Sequence, residues 1–265
     1  MKAVLYDGKG AKKSEIQLPS LFTLPIREDI IAKYYEADKY AHRHRYASYA
    51  EAGKRHSASG TISHRRHEWK GHYGKGISRV PRKALWRRGT QFYWVGAEVA
   101  NTRGGRRAHP PQGNWGPRKI NEKERKLAWR GALAATADKA RITARYTSLG
   151  NVQALPSFPI VIEKLSQKTK DIHGAVAAIL GSLLAIAVKQ KEVRAGRGKQ
   201  RARRYKSNAG LLIITGTSEK AKCKGFEIKP LIELTIADVY PLGRLTLFTQ
   251  KAIEELIMQE AKHVA

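Results

Sequence analysis

The chain has 265 residues, enough for one large domain or two small ones with a hydrophobic core, and carries 51 lysines and arginines against 22 acids. A formal charge of +29 and a pI near 10.4 call for a polyanionic partner, nucleic acid first and an anionic membrane second. A single cysteine, Cys223, excludes an internal disulfide framework and a multi-cysteine zinc site; it fits a reducing compartment and reads as a small, half-buried residue.

The N-terminus turns polar within six residues and does not read as a secretory signal. Ala3 to Tyr6 is an apolar strand candidate ending at an Asp7-Gly8 turn. After Pro25, "IREDIIAKYYEADKYAHRHR" places Ile26, Ile30, Ile31, Tyr34, Tyr35 and Ala41 near helical spacing, which predicts an amphipathic helix.

Residues 42–119 differ in kind, with eighteen lysines and arginines against three acids, a local balance of +15. Seven of the nine histidines fall there, as do Trp69, Trp86, Trp94 and Trp115. Glycine and serine punctuate the stretch, so no long regular element is expected. A segment this long without regular structure is a functional extension or disordered.

Globular patterning resumes at "NEKERKLAWRGALAATADKA", where Asn121 and Glu124 form a capping-box signature ahead of one alanine-rich helix. "FPIVIEKL" (158–165) reads as a buried strand, and the apolar stretch 172–190 as a core helix or two short ones. Its apolar centre, Gly174 to Val188, has 15 residues and is interrupted at Gly181-Ser182, short of the roughly 20 that a membrane span needs, so a soluble protein is expected. A second basic segment, "VRAGRGKQRARRYKSNAG" (193–210), contains no acid. "LLIIT" (211–215), "LIELTIADV" (231–239) and "RLTLF" (244–248) are further strand candidates. Thr249 caps a last helix with Ile253, Leu256 and Ile257 on one face.

Buried, non-alternating strands between helices predict a layered α/β/α domain with a mostly parallel sheet. The domain is expected to comprise 1–41 and 120–265, interrupted by a long basic extended loop over 42–119.

Arginine offers planar, bidentate donors to phosphate, and glycines such as Gly104, Gly105, Gly196 and Gly198 allow close backbone approach. Aromatics among these cations provide faces on which unpaired bases stack. Ordering each residue costs roughly 1–2 kcal/mol of backbone entropy, and the extension has little apolar content to offset it, so it is expected to order against its partner. His42-x-His44, His64-x-x-His67 and His72 have metal-compatible spacing, yet the surrounding cations repel a dication and no metal is expected. No phosphate-loop or dinucleotide motif is present, and Glu68, Glu98, Asp138 and Asp238 read as scattered surface carboxylates. Neither an enzyme, a cofactor nor a small-molecule substrate is expected. The alternative is an RNA-processing or RNA-modifying enzyme with a basic arm, betrayed by an acid/base cluster at the strand ends; a general nucleic-acid architectural protein is the third reading.

The order of "RVPR" (79–82), "RGGRRAHPP" (103–111), "NEKERKLAWRGALAATA" (121–137), "RAGRGKQRARRYK" (194–206) and "GRLTLFTQKAIEEL" (243–256) resembles the large-subunit ribosomal proteins of the L-four family, archaeal and eukaryotic type. The resemblance covers nearly the whole chain. It implies a structural protein of the large ribosomal subunit in the cytoplasm, bound to large-subunit rRNA, whose internal loop reaches the nascent-peptide exit tunnel beside the L-twenty-two protein. By position it places Arg79, Arg82, Arg103, Arg106, Arg107 and His109 in the loop's RNA-contacting stretches. Arg194, Arg197, Arg201, Arg203, Arg204 and Lys206 fall in the second rRNA-binding segment. Lys83, Arg87, Arg88 and Lys199 complete the candidate RNA-binding set. Between Lys83 and Thr102 the chain is richer in bulky apolar residues than the glycine-rich stretch of the family.

Overall fold

The computed structural model describes residues 1–58, 64–68, 71–113, 116–146, 156–188, 191–206, 209–219 and 221–264, with the backbone alone over 261–264. Two units separate: Met1–His42 with Arg118–Ala265, and Arg43–Pro117.

The first unit is built on a six-stranded sheet of β1 (Lys2–Tyr6), β2 (Lys12–Gln17), β5 (Ile160–Ile162), β6 (Leu212–Thr215), β7 (Glu227–Pro230) and β8 (Thr246–Thr249); β3 (Arg82–Arg88) and β4 (Gln91–Gly96) belong to the other unit. The order is β2-β1-β5-β8-β6-β7, antiparallel at β1/β2 and parallel elsewhere. Its helices are α1 (Glu28–His42), α2 (Glu122–Ala134), α3 (Lys139–Arg145), α4 (Thr169–Leu180), α5 (Leu184–Ala187), α6 (Ile236–Val239) and α7 (Gln250–Val264).

Successive residues of β6 bury into opposite layers, which explains why the central strands are continuously apolar. Leu212 and Ile214 join Leu5, Val161 and Phe248 against Ile31 of α1, Leu133 of α2, Val239 of α6 and Ile253 of α7. Ile213 joins Ile160, Ile162 and Leu247 against Ile142 of α3, Ile172 and Val176 of α4 and Ala187 of α5. The result is the α/β/α sandwich with a mostly parallel sheet that the buried runs imply. Thr169–Ala187 has 19 residues and could cross a membrane by length and composition alone. Gly181 at φ +52 breaks it, and Ile172, Val176, Ile179, Leu180 and Leu183 are buried in the core.

Several local expectations are corrected. Arg43–Arg45 fall outside α1, and Ala41 is exposed. Asn121 sits at the N-cap of α2 in extended conformation but makes no side-chain cap bond. Glu124 is instead held by Lys33, Nζ to Oε2 at 2.8 Å. The single alanine-rich helix is two: α2 stops at Ala134, Thr136 Oγ1 donates to the Leu133 carbonyl, and Asp138 starts α3 by accepting from the Ala140 amide. "LIELTIADV" is not a strand. It holds a 3-10 turn (Leu231–Glu233) and α6, because Thr235 and Asp238 close a reciprocal capping box. Thr249 does cap α7, accepting from the Ala252 amide at 3.3 Å, but Ile257 is 44 % exposed while Ala252, Ile253 and Leu256 are buried. The polar strand β2 gives no sequence signal, since five of its six residues are exposed. Gln190, the end of the expected apolar stretch, lies outside the described residues.

Candidate nucleic-acid interface

The Arg43–Pro117 unit has almost no core. Among its described residues only Gly71, His72, Pro81 and Ala97 are buried, and Ala97 is the sole buried aliphatic side chain. Backbone contacts hold its two arms together. Ser48 Oγ donates to the Pro111 carbonyl at 3.1 Å, and a Cβ on Gly113 would lie 2.3 Å from the Tyr46 carbonyl oxygen. Gly53, at φ +78, meets the Gly105 backbone so closely that a Cβ would fall 2.4 Å from its carbonyl carbon. The amide of Ala97 donates to the Pro81 carbonyl at 2.8 Å and closes the base of a hairpin.

That hairpin is the main departure from the expected structureless loop. Strand β3 (Arg82–Arg88) pairs antiparallel with β4 (Gln91–Gly96) through a Gly89-Thr90 turn, with Gly89 at φ +57. A positive φ at the first of two turn residues matches strand twist and favours glycine there. Trp86 lies opposite Tyr93 and Arg87 opposite Phe92, while a bulge around Leu85 shifts the register. The Trp86 and Tyr93 rings are nearly parallel, 6.1 Å between centroids, and the Arg87 guanidinium lies 5.1 Å from the Phe92 ring centre. Sequence signals for this existed: two runs of β-compatible residues flanking a Gly-X pair.

Beyond the hairpin, residues 97–109 coil tightly. Glu98 adopts φ +72 and its carbonyl accepts from the Arg106 amide at 3.1 Å. A Cβ on Gly105 would lie 2.0 Å from the Val99 carbonyl oxygen, so this turn requires glycine. Arg103, Arg106, Arg107 and His109 are placed along it, all four exposed.

The second candidate segment belongs to the other unit. Val193 and Tyr205 form an antiparallel bridge, the Lys206 amide donates to the Glu192 carbonyl at 2.8 Å, and a 3-10 turn (Arg197–Arg201) forms the tip. Ala202 follows at φ +59, and the Arg203 amide reaches the Gly198 carbonyl at 2.9 Å. Glu98 and Ala202 are the non-glycine residues with positive φ among the described residues, one in each candidate segment. Such conformations cost of order 1–3 kcal/mol and concentrate at functional sites.

The cations of these segments are almost uncompensated within the chain. Of the sixteen candidate RNA-binding residues, only Lys206 has an ion pair among the described residues, to Glu192 at 2.6 Å. Arg79 lies over Tyr73 at 4.4 Å from the ring centre, and Arg82 donates to the Ser78 carbonyl at 2.7 Å. Arg87, Arg88, Arg197, Lys199, Arg201, Arg203 and Arg204 lie at the surface, while Arg82, Lys83 and Arg194 are partly covered. Trp69 and Trp115, counted among the stacking candidates, lie outside the described residues, as do Ser207 and Asn208 of the second segment.

Among the described residues no three His, Cys, Asp or Glu side chains are placed to hold one metal ion. Two carboxylates differ from the expected surface acids. Asp238 is buried and accepts from Lys229 Nζ and from the Thr235 amide at 2.8 Å, and one oxygen of Glu98 is buried without a partner. Burial pushes the Cys223 thiol up, away from thiolate character.

A cleft of about 1120 Å³ opens at the carboxyl ends of β1 and β5, the usual ligand position of an α/β sheet. Its acids are already engaged: Asp7 with the Gly8 amide, Glu163 with Lys13, Asp171 with Ser166, Glu219 with Thr249 and Glu254 with Gln250.

Residues 16–259 match the ribosomal protein L4/L1 family. The chain is 36 % identical to large ribosomal subunit protein uL4 of Nanoarchaeum equitans, covering 97 % of both chains. It is 34 % identical to uL4 of Pyrobaculum aerophilum over 96 % of this chain and 89 % of that one. It is 35 % identical to uL4 of Thermoplasma volcanium over 96 % and 97 %. With its α/β/α unit, its long basic insertion and this match along nearly its full length, the chain belongs to the ribosomal protein L4/L1 family.

Proposed function

We propose that the 43–117 arm and the 191–206 loop bind large-subunit rRNA, and that the arm runs between rRNA helices to the wall of the nascent-peptide exit tunnel, beside the L-twenty-two protein. Membership of the family makes the chain a structural constituent of the large ribosomal subunit, associated with rRNA and other ribosomal proteins, and not an enzyme. The RNA-modifying alternative therefore falls.

One observation carries the reading: fifteen of the sixteen candidate residues have no acid partner among the described residues, in a chain that pairs many of its other cations. Unpaired guanidinium and ammonium groups at this density repel one another until phosphates neutralise them, and each neutralisation releases condensed counterions. The arm has no apolar core to offset its ordering entropy, so RNA contacts supply the missing stabilisation. Close backbone approaches at Gly53–Gly105 and Gly113–Tyr46 keep the paired arms narrow, as a segment threading between RNA helices requires.

Co-sedimentation with large subunits in a high-salt wash tests this. The full chain should remain bound, and a variant with 48–111 replaced by a short Gly-Ser linker should be released. Equal retention of both chains would overturn the role of the arm. Equal affinity of the full chain for duplex DNA and rRNA would favour a general architectural protein.

A further inference from the structure

The β3–β4 hairpin carries more than phosphate-binding charge. Directly opposed residues of an antiparallel pair share a face, and so do alternate residues of one strand. Tyr93 therefore shares its face with Gln91 and Val95, and their partners Trp86, Arg88 and Lys83 lie on that face too. The face reads cation, aromatic pair, cation. Trp86 is 49 % exposed and Tyr93 53 % exposed, although the two rings stack on each other. Neither Arg88 nor Lys83 has an acid partner among the described residues, so the charge beside the rings is uncompensated. Large aromatic faces left half in water between free cations suit a flat, apolar group joined to an anion.

We infer that the Trp86–Tyr93 face is a stacking platform for an unpaired RNA base, with Arg88 and Lys83 holding the phosphates on either side. This rests on the rRNA-binding reading and adds a base-dependent contact to it. Residues two apart in a strand stand about 7 Å from each other, so a nucleotide stacked on the ring pair brings its phosphates within reach of both cations. The Leu85 bulge bends β3 beside the rings, and Leu85 itself is 60 % exposed. Stacking is indifferent to base identity, because every base has a π-face. The charge pattern selects RNA over a neighbouring protein surface as occupant, since three basic side chains of this hairpin, Lys83, Arg87 and Arg88, face no acid among the described residues.

The test uses the full chain and two probes of equal charge: an oligo(A) strand of about twelve nucleotides, within the site sizes of single-strand binders, and an abasic strand of the same length. Wild type should prefer oligo(A), and W86A/Y93A should bind it about tenfold more weakly, the scale of one stacked base. Binding of the abasic strand should stay within about twofold, and W86F/Y93F, which keeps two rings, should restore the preference. An unchanged preference in W86A/Y93A would overturn the inference. So would an equal loss on both probes, which would mean that the rings only shape the hairpin or face a protein. Weak, salt-insensitive binding of both probes by wild type would instead sink the rRNA reading itself.

Discussion

In the globular unit, several cations reach acids on distant elements: Lys13 pairs with Glu163 and Lys33 with Glu124, Arg141 with Glu28, Lys229 with Asp238 and Arg244 with Glu227. In the 43–117 arm, Arg55 and Arg65 pair with near neighbours Glu51 and Glu68, but Arg79, Arg82, Lys83, Arg87, Arg88, Arg103, Arg106 and Arg107 have no acid among the described residues. Burial follows the same division, since every buried side chain among the described residues, apart from His72, Pro81 and Ala97, lies in the globular unit. Basic residues thus serve two ends in one chain. In the first unit several of them tie elements together; in the arm and the 191–206 loop nearly all the candidate cations lack an acid among the described residues, which fits the proposed RNA partner.

Four substitutions sharpen that contrast. The largest effect belongs to Arg244, whose side chain is 6 % exposed and donates to Ala209 and Gly210 carbonyls, the Asp238 carbonyl and Glu227. Arg244→Ala leaves those acceptors without this donor and should lower the unfolding free energy by about 3 kcal/mol in urea titrations. Arg88→Ala in the arm should stay within about 0.5 kcal/mol of wild type. Similar losses for both would erase the distinction between structural and partner-directed cations.

A smaller effect is expected at Asp238. Asp238→Ala removes the carboxylate that accepts from the Thr235 amide in the α6 capping box and the partner of Lys229, and should cost about 1–2 kcal/mol by the same titration. An unchanged midpoint would show that the capping box is dispensable.

The smallest effect concerns an exposed pair. The Arg27 guanidinium beside Asp29 holds its carboxyl well below the ordinary value of 3.8, at about 2. A depressed folded-state pKa gives stability that is present above about 3.8 and is lost as pH falls through about 2. Asp29→Asn should flatten acid unfolding slightly between those values at low salt, and the difference should vanish at high salt. A variant that tracks wild type at low salt would remove Asp29 from the account.

The parts of the fold legible in the sequence were those that burial dictates. "LLIIT" holds the strand Leu212–Thr215 and "FPIVIEKL" the shorter strand Ile160–Ile162; both faces of the sheet are covered there, so apolarity alone reports them. What escaped was set by polar or turn chemistry. β2 follows from its antiparallel pairing with β1, which leaves no apolar trace in "KKSEIQ". Leu231, Leu234, Ile236 and Val239 are all buried, and apolarity alone cannot tell a buried strand from buried helical turns; the Thr235–Asp238 box decides it. Within the candidate interface the charges were visible as composition, yet the hairpin that arranges Trp86, Arg87, Phe92 and Tyr93 depends on one Gly-Thr turn. The left-handed Glu98 and Ala202 carry no sequence signature at all, because neither residue type favours that conformation.

The most direct test of the central claim is the salt dependence of rRNA binding, measured for the full chain from low to moderate salt. Removing Arg103, Arg106 and Arg107 together should reduce the slope of log K against log salt by about 2–3, near 0.7–0.9 for each phosphate no longer neutralised. Removing Lys13 and Lys33, whose acids lie within the chain, should leave the slope unchanged. A flat profile for wild type, or the same reduction of slope from both variants, would contradict the claim that the arm's unpaired cations are its RNA contacts.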